Sequence, residues 1–493
     1  MEHVLAMPQA TWQQLQTRLT DHGGVEHLYA GLLTVSETPE RREFWLKAPH
    51  PPQTDDYLEQ SAGIVEVKPE FMARLLAESK AYAGLLLWHN HLGRAFPSSI
   101  DNYHVRKTIQ NADDFRRGNV VLRGIWGRDG LFAEVTNAQA GRWIPIDRVK
   151  VIGETGLEVV YPINAPQRSC EKVDVARHNR TLNLLGERGE TTLRRIQELK
   201  WGFIGAGGVM SAFLNTFKFL GPKQCVIVEG DRIERSNANR LFGYRAGDDG
   251  KPKVEVARRE LLAFDPTMEV EGIDTFLPSE TAWNALKGCD LLVCGPDNDF
   301  CRYLVAEFAS RYWKIVLDFG SGVRLNQQTG LPAKIGGQAR LQFPTPEGKC
   351  LACLGLEAKN LINPKLQETI RQSGLAIGYI QDSDLPTPAS VVTINAVVAT
   401  VGVRMLLSYL SGVGKTPAYL EYDELELQFR EFSTVFKKRP DCPICGDGDS
   451  SVYGWGDKLP AALQVISPTA DQRFDEPAIT ARVSQDGQQP EEV

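Results

Sequence analysis

The chain has 493 residues, a formal net charge of −7 at pH 7 and a sequence pI of about 5.8. A hydrophobic fraction of 42% and a charged fraction of 24% are typical of a globular chain with two or three domains. The acidic balance argues against a nucleic-acid-binding face, and nine cysteines without a visible secretory signal favour metal or thiol chemistry in a cytoplasmic protein.

Residues 1–165 predict a mixed α+β domain. Apolar runs at 120–126 and 131–135, separated by a short polar turn, predict two paired strands. Residues 163–172 contain proline and several polar side chains, which is typical of a linker. We therefore expect a domain boundary there.

A histidine motif lies inside this first domain. His89 and His91 are two residues apart on an extended segment, so their side chains face the same side, and Asp101 begins a helix shortly after them. Two imidazoles and a carboxylate suit zinc, and three protein ligands leave one coordination position open for chemistry. The spacing predicts a catalytic rather than a structural zinc site.

With the apolar run before it and Ser98 three residues before Asp101, the motif resembles the JAB/MPN (JAMM) metalloproteases. The resemblance implies that Glu26 is the general base and that Ser98 stabilises the oxyanion. Leu92 stands where the family has proline, and the gap before Ser98 is one residue short. Two alternatives stay open: Asn102 as the last ligand in place of Asp101, and an inactive binding domain of the same fold.

Residues 173–446 predict a Rossmann-like, doubly wound α/β domain, because apolar strands alternate with helical stretches. The apolar segment 389–410 contains Asn395 and Arg404, which favours a buried helix over a membrane span. Residues 447–493 are poor in apolar side chains and predict a flexible tail. The predicted strands of the second domain are 201–204, 225–229, 270–276, 291–294 and 315–319.

A glycine-rich turn follows the first of these strands. Gly205, Gly207 and Gly208 allow the backbone to approach a phosphate at a helix N-terminus. Glu229 ends the next strand, where a carboxylate can hold a ribose hydroxyl. These features occur in dehydrogenases too, so a nicotinamide enzyme stays open as an alternative. Arg240, which follows this strand end, favours an enzyme that cleaves ATP. A hydride-transfer site does not need an arginine directed at phosphates at this position.

The order of the motifs resembles the ThiF/MoeB family of ATP-dependent activators of ubiquitin-like proteins. After the glycine turn come an acidic strand end, Ser-Asn-x-x-Arg, a lysine and Asp-Asn, and an upstream Arg-x-x-Arg segment matches the family's N-terminal helix. Met210 replaces the last glycine of the turn, which leaves the close packing of helix on strand open. The matched residues are Gly205, Gly207, Gly208, Glu229, Asp231, Asn237, Arg240, Lys253, Asp297 and Arg180.

The resemblance implies a role for each charged residue. Arg240 and Lys253 neutralise the triphosphate of ATP, and Asp231 or Asp297 holds Mg²⁺, with Asp297 matching the family ligand. Arg180 matches an arginine that reaches the γ-phosphate in a neighbouring subunit, which implies a homodimer.

Two Cys-x-x-Cys pairs predict a second metal site. Thiolates two residues apart can occupy adjacent corners of a tetrahedron, and two such pairs complete a closed, structural zinc site. Relatives of the ThiF/MoeB type carry the pairs at the same places. The four predicted ligands are Cys350, Cys353, Cys442 and Cys445.

Many relatives also carry a nucleophilic cysteine between the two pairs, but this chain has no cysteine from 354 to 441. Cys170, in the predicted linker, is the one candidate for a mobile thiol. The sequence therefore predicts adenylation more firmly than thioester formation.

Together the two resemblances imply a JAB-type peptidase fused to a ubiquitin-activating-like adenylyltransferase. Such a chain would use ATP, Mg²⁺ and two zinc ions to adenylate the C-terminal glycine of a ubiquitin-like protein that its first domain trims or deconjugates. This implies a prokaryotic conjugation system, in some cases linked to phage defence, with a conjugating enzyme as a further partner. Activation of a sulfur carrier for cofactor or metabolite synthesis stays open as an alternative. No nucleic-acid or membrane partner is expected.

Overall fold

The computed structural model describes residues 1–20, 23–111, 119–137, 142–166, 172–325, 329, 332–356, 391–447, 450–460 and 463. In this part of the chain the helices are α1 (Gln9–Thr20), α2 (Pro69–Glu78), α3 (Ser99–Asn111), α4 (Val175–Leu185), α5 (Gly189–Glu198), α6 (Gly208–Phe217), α7 (Lys253–Phe264), α8 (Glu280–Lys287), α9 (Asp299–Arg311) and α10 (Val392–Ser411). Cys170 and the segment between the two Cys-x-x-Cys pairs from 357 to 390 lie outside the described residues.

The strands of the N-terminal half are β1 (Glu2–Pro8), β2 (Leu28–Glu37), β3 (Arg41–Pro49), β4 (Tyr57–Gln60), β5 (Val65–Val67), β6 (Gly84–Asn90), β7 (Val120–Gly127), β8 (Gly130–Asn137), β9 (Ile144–Pro145), β10 (Arg148–Ile152) and β11 (Leu157–Val160). Those of the C-terminal half are β12 (Lys200–Ile204), β13 (Gln224–Val228), β14 (Glu269–Ile273), β15 (Leu291–Cys294), β16 (Ile315–Leu325), β17 (Pro332–Gln342), β18 (Tyr419–Asp423) and β19 (Gln428–Glu431). All seven predicted strands are present.

The N-terminal half is built on one mixed sheet with the order β11-β10-β1-β3-β2-β6-β7-β8-β9 in the described residues. β2 runs antiparallel to β6, and Leu28 pairs with His89. β6 runs parallel to β7. Trp12 of α1 packs against Trp88 of β6 on one face of the sheet. The arrangement brings the start of β2 and the end of β6 to the same edge, which is where the histidines lie.

The C-terminal half contains a parallel sheet with helices on both faces. Its order is β14-β13-β12-β15-β16, followed by the antiparallel strands β17, β18 and β19. The chain reverses direction across the sheet between β12 and β15, and ligands of such sheets bind at that point, outside the carboxyl ends of the strands. The prediction of a Rossmann-like, doubly wound domain is confirmed.

Helix α10 covers one face of this sheet and packs on α6, β16 and β17. It is long and apolar enough to pass a membrane-span test by length and composition, yet 61% of its most apolar window is buried inside the protein. Buried apolar helices of folded domains pass the same test. The predicted buried helix is therefore present.

Charged side chains are buried between the two halves. Asp290, fully buried at the start of β15, accepts hydrogen bonds from Arg41 at 2.9 Å, Arg148 at 3.1 Å and Lys150 at 3.1 Å. Glu43 of β3 pairs with Lys150 and, at 2.8 Å, with Lys314. Buried charges are stable only when paired, so these contacts hold the two sheets in one relative position.

Residues 450–460, which the composition assigns to a flexible tail, instead pack across both halves. Thr34 of β2 donates to the Gly454 carbonyl at 2.6 Å, and Trp455 stacks on Tyr82 at a centroid distance of 5.4 Å. Asp457 accepts from Lys287 at 2.7 Å and from the Glu37 amide at 2.8 Å. Val452, Trp455 and Leu459 are buried in one apolar cluster, and these few apolar residues among polar ones are not apparent from composition alone.

Candidate functional site

The glycine turn leads directly from β12 into α6. Gly205 has φ +97°, which disfavours any side chain, and its amide donates to the Val228 carbonyl of β13 at 2.9 Å. A Cβ at Gly207 would meet open space, so this position is free towards a ligand. Helix α6 begins at Gly208, and its N-cap Gly207 makes no side-chain cap bond in the described residues. The first amides of a helix and the positive end of its dipole favour phosphate at such a position.

Met210 packs against the neighbouring strand end rather than disturbing it. It is fully buried, and its Cγ would lie 2.6 Å from a Cβ at Gly295, just after β15. The space that the last glycine of the turn normally provides is therefore supplied by Gly295 across the sheet. Close packing of helix on strand is kept despite the departure from the family pattern.

Glu229 closes the base of the turn. Its carboxylate accepts from the Ala206 amide at 2.7 Å and from the Asp231 amide at 2.9 Å. Burial raises the pKa of Glu229, and the two amides oppose that shift. A carboxylate oxygen has a second lone pair for a ribose hydroxyl, so the predicted role fits the geometry.

A small cavity of about 30 Å³ brings together the residues predicted to bind phosphate. Lys253 donates to Asp231 at 2.8 Å, and Arg240 donates to the Ser236 carbonyl at 2.7 Å. Asn237 is buried and bonds the Glu234 amide, which fixes the turn that carries Arg240. The cavity is lined by Gly207, Gly208, Asn237, Arg240, Leu241 and Lys253.

Asp297 lies on the exposed loop after β15, and its carboxylate accepts a hydrogen bond from the side-chain amide of Asn298 at 3.2 Å. The Asn298 oxygen in turn caps α9 by accepting from the Cys301 amide at 2.8 Å. Asp297 and Asp231 offer only carboxylate oxygens, which are the donors that Mg²⁺ prefers. Arg180 is exposed on α4 and is not part of the cavity lining in the described part of the chain.

The four thiols of the Cys-x-x-Cys pairs lie together in the interior. Cys350 Sγ is 3.7 Å from Cys442 Sγ, and Cys353 Sγ is 3.7 Å from Cys445 Sγ. A tetrahedral zinc with bonds of about 2.3 Å places its sulfur ligands about 3.8 Å apart. The buried thiols therefore fit one zinc ion with no position left for a substrate.

The histidine motif is also assembled. His89 Nε2 and His91 Nε2 are 3.0 Å apart, and they lie 3.2 and 3.4 Å from the two carboxylate oxygens of Asp101. Tetrahedral zinc with nitrogen and oxygen ligands separates them by about 3.3–3.6 Å, so shifts of about 0.3 Å or less would bring the three side chains to ligand spacing. Partial burial would raise the pKa of Asp101, but hydrogen bonds from the two imidazoles hold it well below its usual range.

Capping of α3 selects Asp101 over the alternative ligand. The Ser98 amide donates to Asp101 at 2.6 Å, and the Asp101 amide donates to the Ser98 hydroxyl oxygen at 3.1 Å. Asn102 points elsewhere and accepts from the buried guanidinium of Arg123 at 2.7 Å. Ser98 is thus the residue that caps α3.

Glu26 enters the same area from the start of β2. Its side chain is buried, and burial raises the pKa of its carboxyl group while His91 and His89 oppose the rise. Asn90, between the two histidines, accepts a hydrogen bond from the His27 amide at 2.6 Å. This bond fixes His27, the residue after Glu26, against β6. Sequence reasoning missed Asn90, although it stands inside the His-x-His motif.

Three relatives of known description are similar to about half of this chain. A sulfur carrier protein adenylyltransferase of Thermus thermophilus is 29% identical over 56% of this chain and 92% of its own length. The SAMP-activating enzyme E1 of Haloferax volcanii is 25% identical over 57% and 92%. Ubiquitin-like modifier-activating enzyme 5 of Drosophila pseudoobscura pseudoobscura is 26% identical over 56% and 66%.

The model of the ThiF family matches residues 178–444, more than half of the chain. That range contains the glycine turn, the lining of the small cavity and three of the four thiols, and Cys445 is the next residue after it. This chain belongs to the ThiF family, with an adenylyltransferase domain of the ThiF/MoeB type.

Proposed function

We propose that this chain adenylates the C-terminal glycine of a sulfur-carrier or other ubiquitin-like protein with ATP. The observation that carries the proposal is the cavity in which Gly207, Gly208, Arg240 and Lys253 meet. Similarity to a sulfur carrier protein adenylyltransferase and to a ubiquitin-like modifier-activating enzyme supports this substrate class. Activation of a sulfur carrier has the stronger support, because the similarity to that enzyme is higher and covers most of it.

The reaction joins a carboxylate to a phosphate. A carboxylate oxygen of the terminal glycine attacks the α-phosphorus of ATP, the bond from that phosphorus to the bridging oxygen breaks, and pyrophosphate leaves with the electron pair. Arg240 and Lys253 stabilise the negative charge that grows on the phosphate oxygens. Lys253 exchanges its bond to Asp231 for one to phosphate, which would free that carboxylate. Asp231 and Asp297 are the residues that would hold Mg²⁺. Magnesium supplies further charge neutralisation.

The described cysteines favour a product that stays an adenylate on this chain. Burial raises the pKa of Cys225, Cys289 and Cys301 to about 12, and Cys294 is fully buried, so none of them is a ready thiolate. The other four described cysteines form the Cys₄ cluster. The adenylate would then react with a nucleophile on another molecule, such as a sulfur donor or the thiol of a conjugating enzyme.

The chain is also proposed to act as a homodimer. Arg180 is exposed on α4 and has no place in the cavity of its own chain within the described residues, which agrees with a role in a neighbouring copy. An Arg180→Ala chain mixed with an Arg240→Ala chain should regain part of the activity that each lacks alone.

ATP–pyrophosphate exchange tests the proposal directly. The purified chain with a sulfur carrier that ends in glycine should catalyse exchange, and Asp297→Ala should abolish it. Asp299→Ala, two residues away at the exposed start of α9, is the matched control. Thiocarboxylate formed on addition of sulfide would identify sulfur-carrier activation. Exchange at the wild-type rate in Asp297→Ala would refute the assignment of the site.

A second candidate function belongs to the N-terminal half. We propose a zinc peptidase that cleaves at the C-terminus of the same partner, because His89, His91 and Asp101 stand in ligand geometry beside the buried Glu26. Zinc at such a site activates water for attack on a peptide carbonyl. Glu26, buried beside the histidines, would take the proton, and the Ser98 hydroxyl would donate to the oxyanion.

Glu26→Gln separates this function from a binding role. The variant should retain zinc, since Glu26 is not one of the three ligands, but should lose cleavage of a partner extended beyond its terminal glycine. Glu59→Gln, on the exposed strand β4, is the matched control. Zinc binding and partner binding without cleavage in the wild type would establish the inactive binding domain instead.

A further inference from the structure

Arg302 connects the loop that carries Asp297 to the interior of the sheet. It lies in the first turn of α9 and is buried. Its Nη2 donates to the Pro296 carbonyl at 2.7 Å and to the Phe319 carbonyl of β16 at 2.6 Å. One guanidinium nitrogen therefore joins the peptide group before Asp297 to the neighbouring strand.

Asp318 provides the negative charge that faces that guanidinium. It is fully buried, and its Oδ1 lies 3.7 Å from Arg302 Nε, an ion pair without a hydrogen bond between those two atoms. Its other oxygen accepts from Arg340 Nε at 3.0 Å and Nη2 at 2.6 Å. A Cβ at Gly320 would lie 2.8 Å from Arg302 Nη1, so the absence of a side chain there makes room for the guanidinium.

The loop is thus fixed on both sides of Asp297. Arg302 fixes the peptide before it, and Asn298 fixes the peptide after it by capping α9. Asp297 itself is exposed and bonds only the Asn298 amide among the hydrogen bonds found in the described residues. Its carboxylate therefore depends on the backbone for its position, and changes to the groups that orient a metal ligand typically lower metal affinity about 10–100-fold.

We propose that Arg302 is a positioning residue that sets the affinity of the nucleotide site for Mg²⁺-bound ATP by holding Asp297, with Asp318 as its anchor. The inference rests on the proposed function, because it takes Asp297 to be the Mg²⁺ ligand. Neither Arg302 nor Asp318 is part of the cavity lining in the described residues.

Binding of a fluorescent ATP analogue, measured with Mg²⁺ and with EDTA, tests the inference. The quantity of interest is the dissociation constant in EDTA divided by the dissociation constant with Mg²⁺. This ratio reports how much the metal strengthens binding. Arg302→Met should lower this ratio at least about tenfold, as changes to the groups that orient metal ligands do, with little change in the affinity measured in EDTA. A general structural role would weaken both affinities together and leave the ratio unchanged.

Arg302→Met leaves Asp318 paired with Arg340. Arg302→Lys, which keeps a positive charge near Asp318 but cannot serve both carbonyls in the same way, provides the second variant and should show an intermediate ratio. An unchanged ratio in the folded Arg302→Met and Arg302→Lys variants would overturn the inference.

Asp297→Ala distinguishes failure of the positioning role from failure of the proposed function. If its ratio falls to about one while that of the Arg302 variants is unchanged, only the positioning role is wrong. If the ratio of Asp297→Ala stays at the wild-type value, the Mg²⁺ assignment in the proposed function is wrong as well. Combining Asp297→Ala with Arg302→Met should lower the ratio no further than Asp297→Ala alone, since both act through one carboxylate.

Discussion

The nucleotide site and the histidine cluster differ in how completely the chain assembles them. His89, His91 and Asp101 already meet at 3.0–3.4 Å, whereas Lys253 and Arg240 are bonded to Asp231 and Ser236 of their own chain. The cluster rests on one strand and one capped helix. The nucleotide site is spread over the ends of several strands. A metal site can be preformed by short-range structure, while a site for a large anion keeps its cations paired until the ligand replaces those partners.

The largest expected effect separates a structural metal site from the histidine cluster. Cys442→Ser should lower the folded stability by several kcal/mol, because structural zinc binding contributes about 10–16 kcal/mol that is coupled to folding. His91→Ala should also lose one zinc per chain, yet it should melt close to the wild type, since the strand and helix around it are held by other contacts. Zinc content and thermal unfolding of both variants are the measurements. Equal loss of stability in both would remove the distinction.

The second effect concerns the nucleotide site alone. Arg240→Ala should lower ATP–pyrophosphate exchange about 10²–10³-fold, the cost of removing one donor that stabilises transition-state charge. Arg235→Ala is the matched control, because that side chain is 84% exposed and lies in the same segment. Zinc content should be unchanged in both. Exchange by Arg240→Ala at the rate of the Arg235 variant would show that the cavity is not the phosphate site.

The sequence is sufficient for the parts that depend on local pattern. The parallel strands, the glycine turn with Gly205 at positive φ and the two Cys-x-x-Cys pairs follow from residue type and spacing. It left the choice between Asp101 and Asn102 open, because a one-residue difference in loop length can be decided only by the cap of α3 and the bond from Arg123.

The contacts between distant segments could not be predicted in the same way. Gly295 makes room for Met210 from across the sheet, and Asp290 collects cations from β3 and β10. Residues 450–460 pack although their composition is typical of a tail. In each case the partner lies far along the chain, so no local pattern reveals it.

The third prediction concerns the pH dependence of the stabilisation that the buried charge of Glu43 provides between the two halves. Burial alone would raise the pKa of Glu43, but Lys150, Lys314 and Arg41 lower it to about 2. An unfolded glutamate titrates near a pH of about 4.3. The folded-state pKa is the lower one, so the stabilisation is complete above about pH 4.3 and is lost as the pH falls towards about 2.

A difference of about two pKa units corresponds to roughly 3 kcal/mol. Denaturant unfolding of the wild type and Glu43→Gln should therefore differ most at neutral pH, and the difference should shrink between about pH 4 and about pH 2. A difference independent of pH would mean that Glu43 contributes by packing rather than by charge.

The smallest expected effect concerns the docked segment that joins the halves. Asp457→Ala removes the partner of Lys287, which is largely buried, and of the Glu37 amide, so it should lower the free energy of unfolding by about 1–2 kcal/mol. Asp55→Ala, an exposed aspartate on the N-terminal half, should change it by less than about 0.5 kcal/mol. Denaturant unfolding followed by tryptophan fluorescence measures both, since Trp455 and Trp313 lie in the docked region.

Because Asp457 contacts β2 and α8 but neither the nucleotide site nor the histidine cluster, zinc content and pyrophosphate exchange should stay at wild-type levels in the folded variant. If zinc content or pyrophosphate exchange fell together with stability, the docked segment would set the geometry of the corresponding site. The difference between a preformed site and a site assembled by its ligand would then depend on contacts between the two halves.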